Sequence, residues 1–371
     1  MSEKRRQICN ALTMSKIPVV TSDVCALHVP GAEIWVGVRT PGTEVPERLM
    51  RIEDALRADG HDFIPAQPHS DEVLLQVHDP DLVHYLRESY DRWIRAGFDQ
   101  DPGQDRVVPY LLPTPGMLDG LSVREPTSIH AAAGRWCYDT MTLVGPGTWS
   151  AARGAIDVTL TAVDQVTAGA PAAYALTRPP GHHVTRSAFG GSCYLNNAAV
   201  AAQALRNAGH EQVAIIDIDA HHGNGTQSIF YEREDVTYGS VHIDPGAGWF
   251  PHYMGFADEV GRGAGIEANL NLPLPPLSTD VSWLTAVEQL AEHALTRGAT
   301  ALVVSLGVDA AIDDPESPLH ITAEGYASAG GILGAMNLPT VAVQEGGYHL
   351  DTLGPLVAAT LDGLTRARSA G

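Results

Sequence analysis

Asp219 and His221 stand two residues apart at the end of an apolar, partly β-branched run in the stretch VAIIDIDAHHGNG, residues 213 to 225. A carboxylate and an imidazole at that spacing, at the open end of a buried strand, suit a metal ion with nitrogen and oxygen ligands. The same pair also reads as a helix N-cap carboxylate followed by two locally satisfied loop histidines, so the stretch alone leaves both readings open. Asp217 shares a face with Asp219 while the strand persists, because alternate side chains of a strand point the same way. Matching chemistry lies elsewhere in the chain. His182 and His183 follow a Pro-Pro-Gly turn, Asp309 follows Gly307, and Tyr348 follows Gly346 and Gly347. Adjacent histidines suit a general base and acid beside a metal-bound water, and a tyrosine hydroxyl suits a developing oxyanion. Asp217 is placed to orient His182, and Asn224 to orient His183.

These residues act together only if the fold brings them together. Strand-like runs occur near residue 175, at 213 to 217, at 236 to 242, at 301 to 307 and at 340 to 347. Between them lie helical patterns: one beginning at Glu47, one after Asp79-Pro80, and others from Trp149 to Ala168, through NNAAVAAQALRNAG, through WLTAVEQLAEHALTRG, and after Thr322. Apolar strands alternating with amphipathic helices indicate an α/β fold with a mostly parallel central sheet covered on both faces. In such sheets ligands sit outside the carboxyl ends of the strands. Four strands here end in polar chemistry, so parallel pairing gathers His182, His183, Asp219, His221, Asp309 and Tyr348 on one rim. That convergence favours Asp219, His221 and Asp309 as three ligands with coordination left open to water and substrate, the mark of a catalytic zinc site. A metal so held lowers the pKa of bound water and polarises a carbonyl.

Composition bounds the rest. The 371 residues are 44% hydrophobic, enough for a large core, and no uninterrupted apolar stretch is long enough to span a membrane. The four cysteines are scattered without a CxxC pair, which fits a reducing cytoplasm. A formal net charge of −21 argues against nucleic-acid and anionic-membrane partners; it suits either the attraction of a cationic ligand or an acidic surface that simply maintains solubility. We read residues 1–20, which carry a basic cluster, as a leader, and residues 21–371 as one α/β catalytic domain. Residues 98–130, rich in proline, glycine and aspartate, form a long loop of functional or interfacial character.

RPPGHH (178–183), FGGSCYLNNAAVAA (189–202), DIDAHHGNGTQSIFY (217–231), SLGVDA (305–310) and EGGY (345–348) resemble the zinc-dependent histone deacetylase superfamily. VHDPDLVHYLRESYDRWIRAG, PGTW (146–149) and HIDPGAGWFPHYMGFADEVGRGAG are similar to its bacterial acetylpolyamine amidohydrolases. The resemblance implies an arginase-like single-domain fold, and one catalytic Zn²⁺ (Fe²⁺ being the alternative metal) on Asp219, His221 and Asp309. It implies hydrolysis of an acetylated primary amine to acetate and free amine, with His182, His183 and Tyr348 in the roles above. It also implies a structural K⁺ near the metal, on Asp217, Asp219, His221, Ser240 and Val241, and a second K⁺ near Phe230 and Val236. The implied assembly is a homodimer in which the loop at 98–130 narrows the partner's channel. Gly191, Ser192 and Phe250 fall on the substrate tunnel; Ser192 replaces a usual aromatic wall residue, so one side is expected to be wider. Glu33 matches an acidic loop residue of polyamine-hydrolysing relatives, whereas His130 stands where those relatives carry an acid. Three rivals follow. An acetyl-lysine peptide deacetylase shares the mechanism, and an acetyl-amine sensor shares the fold. A binuclear Mn²⁺ ureohydrolase needs further bridging carboxylates, yet no Asp-x-Asp stands at 309.

Overall fold

The computed structural model describes residues 16–368. Its strands are β1 (Val19–Thr21), β2 (Glu33–Trp35), β3 (Val38–Thr40), β4 (Phe63–Pro65), β5 (Ala172–Ala175), β6 (Val213–Asp217), β7 (Val236–Ile243), β8 (Asn269–Leu274), β9 (Ala301–Leu306) and β10 (Thr340–Gln344). Eight of them form one sheet in the order β4-β1-β5-β10-β9-β6-β7-β8, with every pairing parallel. β2 and β3 make a separate antiparallel hairpin. The central strands are wholly buried, as their continuous apolar runs require of strands covered on both faces. β5, β10, β9 and β6 are consecutive neighbours, so the four chemistry-bearing strand ends open side by side.

The helices fall where the sequence pattern places them: Glu47–Ala58, Pro80–Arg95, Thr148–Thr167, Asn197–Asn207, Asp280–Thr296 and Ala323–Ala335. Thr322 accepts the amide of Gly325 and so caps the last of these. A further helix, Leu350–Arg368, escapes the pattern because Gly354, Pro355 and Gly363 read as breakers. Those glycines serve packing instead. A Cβ on Gly354 would lie 2.3 Å from the Arg51 carbonyl oxygen, and one on Gly363 would lie 2.0 Å from that of Ala327.

Two expectations need correction. The stretch 1–20 is not all leader. Residues 1–15 lie outside the described residues, but Ile17, Val19 and Val20 are buried, and β1 inserts between β4 and β5. A three-residue strand is too short for periodicity to reveal. The loop at 98–130 is also more structured than its composition suggests. It bridges Val107 to Val144, makes a helical turn at Pro115–Leu118, and ends in the Ile129–Trp136 helix. His130 is therefore the second residue of a helix, between the rings of Phe98 and Tyr110 at 5.0 and 5.7 Å. No described helix is long and apolar enough to cross a membrane.

Candidate active site

β6 delivers Asp217, and the chain then turns so that Asp219 and His221 meet Asp309 from the end of β9. One ligand atom from each of Asp219, His221 and Asp309 lies within 4.8 Å of the others. Glycines make that approach possible: a Cβ on Gly307 would sit 2.0 Å from an Asp219 oxygen, and one on Gly346 would sit 2.3 Å from an Asp309 oxygen. The amides of Gly346 and His221 donate to Asp219 at 2.8 and 2.9 Å, and that of Ala220 donates to Asp309 at 2.7 Å. His221 Nε2 meets the Glu316 carbonyl oxygen at 3.0 Å. That bond requires the proton on Nε2, so Nδ1 points at both carboxylates, 3.1 Å from Asp309 and 3.4 Å from Asp219.

A lone pair facing two buried carboxylates demands a cation between them. Without one the cluster must hold protons. Burial opposes charge on His221, but the two carboxylates drive its pKa well above the ordinary imidazole range. Burial and then the Asp219 charge push Asp309 up to about 7. This donor set, two carboxylates and an imidazole fixed through its other nitrogen, fits a divalent cation of the zinc class.

His182 and His183 stand beside it, ring centroids 4.0 Å apart. His182 Nδ1 meets Asp217 at 3.0 Å, and His183 Nδ1 meets the Asn224 side-chain oxygen at 2.8 Å. The two environments separate the rings. Burial works against charge on His182, yet Asp219 and Asp217 push its pKa up to about 10. For His183, burial and then the neighbouring His182 and His221 hold the pKa well below the ordinary value. Tyr348 lies beneath the Arg48 guanidinium, 4.8 Å from the ring centroid, and its amide donates to Asp314 at 2.7 Å. Burial lifts the Tyr348 phenol well above its usual range, with Arg48 opposing, so the hydroxyl keeps its proton and remains a donor.

Several contributors show their role only in the structure. Glu345 Oε2 accepts the amides of Gly181 and His182 at 2.7 and 3.2 Å and so holds the histidine turn. Arg48 donates to the carbonyls of Gly347 and Glu345 at 2.7 and 2.5 Å, fixing the turn before Tyr348. Arg48 is itself paired with buried Glu44, which also binds Arg178. Only the i,i+4 spacing of Glu44 and Arg48 hints at this, and it lies astride a helix start.

The cleft at the histidines is lined by Glu33, His183, Ser192, Phe250, Glu316 and Tyr348, among others. Phe250 stands edge-on to His183, 4.8 Å between centroids. Gly191 has φ +60°, and a Cβ there would strike the His183 ring at 2.4 Å; its amide donates to Asp139 at 2.6 Å. Ser192 follows with φ +59°, its amide donating to Thr142 at 2.9 Å. Glu316 accepts from Thr43 at 2.8 Å. Burial and then Glu316 push the Glu33 carboxyl up to about 7. His130 is not part of this cleft in the single chain: it faces a depression with Arg92 and Arg95. Ser240 lies opposite Asp217 in the β6–β7 register, beside buried Val241. At the other end of that pair Val236 meets Val213, and buried Phe230 ends the Asn224–Phe230 helix that precedes β7.

The histone deacetylase domain matches residues 42–364 of this chain. The chain belongs to the histone deacetylase family. Among relatives of this deacetylase, an acetylpolyamine amidohydrolase of Mycoplana ramosa is 38% identical over 347 residues, covering 93% of this chain and 99% of that protein. One of Burkholderia pseudomallei is 40% identical over 331 residues, covering 88% and 93%. The deacetylase also superposes on a crystal structure of acetylpolyamine aminohydrolase from Burkholderia pseudomallei. The TM-score is 0.88 at 37% identity, over 95% of this chain and 99% of that one. The parallel sheet with its strand-end cleft is thus the deacetylase fold that the motifs imply.

Proposed function

We propose that this deacetylase removes acetyl groups from small cationic N-acetyl amines, of the acetylpolyamine kind, with one Zn²⁺ on Asp219, His221 and Asp309. The observation that carries the reading is the pair of carboxylates, Glu33 and Glu316, in the same cleft as His183 and Tyr348. A cleft so lined attracts a substrate that carries positive charge beyond its amide. The relatives named acetylpolyamine amidohydrolase support the same substrate class.

A divalent cation on the Asp-His-Asp set supplies a Lewis acid for the amide carbonyl and acidifies the attacking water. The chain's own residues do the rest. His183, kept neutral by burial and by the neighbouring His182 and His221, takes the water proton as general base. His182, kept cationic by Asp217, stays charged and stabilises the anion that forms. Tyr348 donates its hydroxyl to the same oxyanion. The carbon–nitrogen bond then breaks, the proton passes to the leaving nitrogen, and acetate and free amine result. The K⁺ sites at Asp217, Ser240 and Val241 and near Phe230 and Val236 belong to this reading as proposals. So does a homodimer: Trp35, Val36 and Tyr253 expose 55, 82 and 89% of their surface around a hollow of about 510 Å³ beside the cleft. Sedimentation velocity tests the dimer.

The decisive experiment is turnover of acetylputrescine, acetylcadaverine and acetylspermidine against an acetyl-lysine peptide by the Zn²⁺-loaded enzyme. Higher kcat/KM for the small amines is expected; cleavage of the peptide alone would refute the substrate class.

A further inference from the structure

The Asp-x-His pair of the cleft has a counterpart far from it. Asp59-Gly-His61 repeats the spacing of Asp219-Ala-His221, and a distant aspartate, Asp362, completes it as Asp309 completes the first. Asp59 caps the carboxyl end of the Glu47–Ala58 helix, and Asp362 comes from the Leu350–Arg368 helix. Ligand atoms of Asp59, His61 and Asp362 all lie within 4.8 Å of one another. His61 precedes β4, and the Asp62 carbonyl accepts the amide of Val19 at the start of β1. The cluster therefore sits at the amino ends of the strands, the opposite rim from the cleft.

His61 points to a ligand. The residue is 7% exposed. Its Nδ1 lies 2.8 Å from the Ile17 carbonyl oxygen, a bond that needs the proton on Nδ1. The other nitrogen, Nε2, is buried with no hydrogen-bond partner among the described residues and lies 3.3 Å from Asp59 Oδ2. With Nδ1 committed to that carbonyl, the ring can aim an Nε2 lone pair along the line to Asp59, an arrangement that a cation held between the two satisfies. The helix end at Asp59 adds its own partial negative charge. In the structure the charge is met by Lys16, whose ammonium binds Asp59 and lies 2.8 Å from Asp362. It does not satisfy His61 Nε2. A fixed imidazole with two carboxylates is a donor set for a borderline divalent ion, whereas an ammonium serves only the carboxylates.

We propose that Asp59, His61 and Asp362 form a second divalent-cation site, of the Zn²⁺ class, for which Lys16 is the competing resident cation. Zn²⁺ there displaces the Lys16 ammonium, engages His61 Nε2, and ties β1, through Ile17, to both helices. The test is the number of Zn²⁺ ions retained per chain by untagged full-length protein after equilibrium dialysis, in wild type, K16M, D362N and K16M/D362N. Lys16→Met keeps the aliphatic stem, and Asp362→Asn is a conservative change at a side chain that is 34% exposed. K16M should hold one ion more than K16M/D362N. Wild type should bind that ion about ten-fold more weakly than K16M, the size expected for losing two partly exposed ion pairs. D362N should lack it while turning over acetylputrescine like wild type. Equal ion counts in K16M and K16M/D362N, or equal affinities in wild type and K16M, would overturn the proposal. Because the readout is a difference at Asp362, it stands apart from whatever the cleft binds.

Discussion

In the proposed reaction Tyr348 serves the chemistry and the two cleft carboxylates serve recognition, and single substitutions separate the two. Tyr348→Phe keeps the ring under Arg48 and removes only the hydroxyl. It should lower kcat on acetylputrescine by about 10²–10³-fold with little change in KM, the range seen when one oxyanion donor is lost. Glu33→Gln should raise KM for that substrate and leave a neutral N-acetyl amine unaffected. The Glu33 carboxyl is pushed up to about 7 by burial and Glu316, so it is neutral below that pH and anionic above it. KM for the cationic substrate should therefore rise as pH falls through 7, and a pH series should flatten in Glu33→Gln. A slope unchanged in the variant would remove Glu33 from recognition. The candidate site residues are legible in the sequence because they are polar groups at the ends of apolar runs. Arg48 and Asp314 are not, because a lone charge on a helix or in a turn reads as solvated surface until tertiary packing buries it, and Glu345 is visible in EGGY without its role in holding the histidine turn.

At the scale of elements, the closest contact between helices is made by glycine. A Cβ on Gly330 would lie 2.0 Å from the Thr360 carbonyl oxygen in the Leu350–Arg368 helix, whereas one on neighbouring Gly331 would meet nothing within 4 Å among the described residues. Gly330→Ala should destabilise by about 1–3 kcal/mol through overpacking, and Gly331→Ala should stabilise by up to about 1 kcal/mol through helix propensity. Urea midpoints check both; similar effects at the two positions would contradict the close approach. The same packing explains what sequence reasoning loses here. Glycines that admit a neighbouring backbone look like breakers, and β1 and β4 have three residues each. The long central strands and capped helices are legible because each carries its own period.

At the scale of the molecule, two histidines buried away from the cleft set the acid limit. His78 Nδ1 donates to the Thr185 carbonyl at 3.0 Å, and Nε2 accepts the amide of Asn196 at 2.9 Å, so the ring must stay neutral. Burial holds His78 and His28 down at about 4, against an ordinary 6.5. Between those values the unfolded chain binds the extra protons, so stability is complete above about 6.5 and falls as pH drops toward 4. The loss amounts to about 3 kcal/mol for each ring at most. Denaturation midpoints from pH 7 to pH 4 should fall accordingly; a flat profile would mean that these rings charge freely in the fold.

The parallel sheet gathers strand ends into one cleft, and the central claim is that this cleft holds a metal that makes it an amidohydrolase. The most direct measurement is turnover of acetylputrescine as Zn²⁺ is returned to chelator-treated protein. Turnover should be absent without metal, should recover as Zn²⁺ fills the Asp219–His221–Asp309 set, and should stay absent at any Zn²⁺ level in His221→Ala. Turnover that persists without metal, or that His221→Ala retains, would contradict that claim.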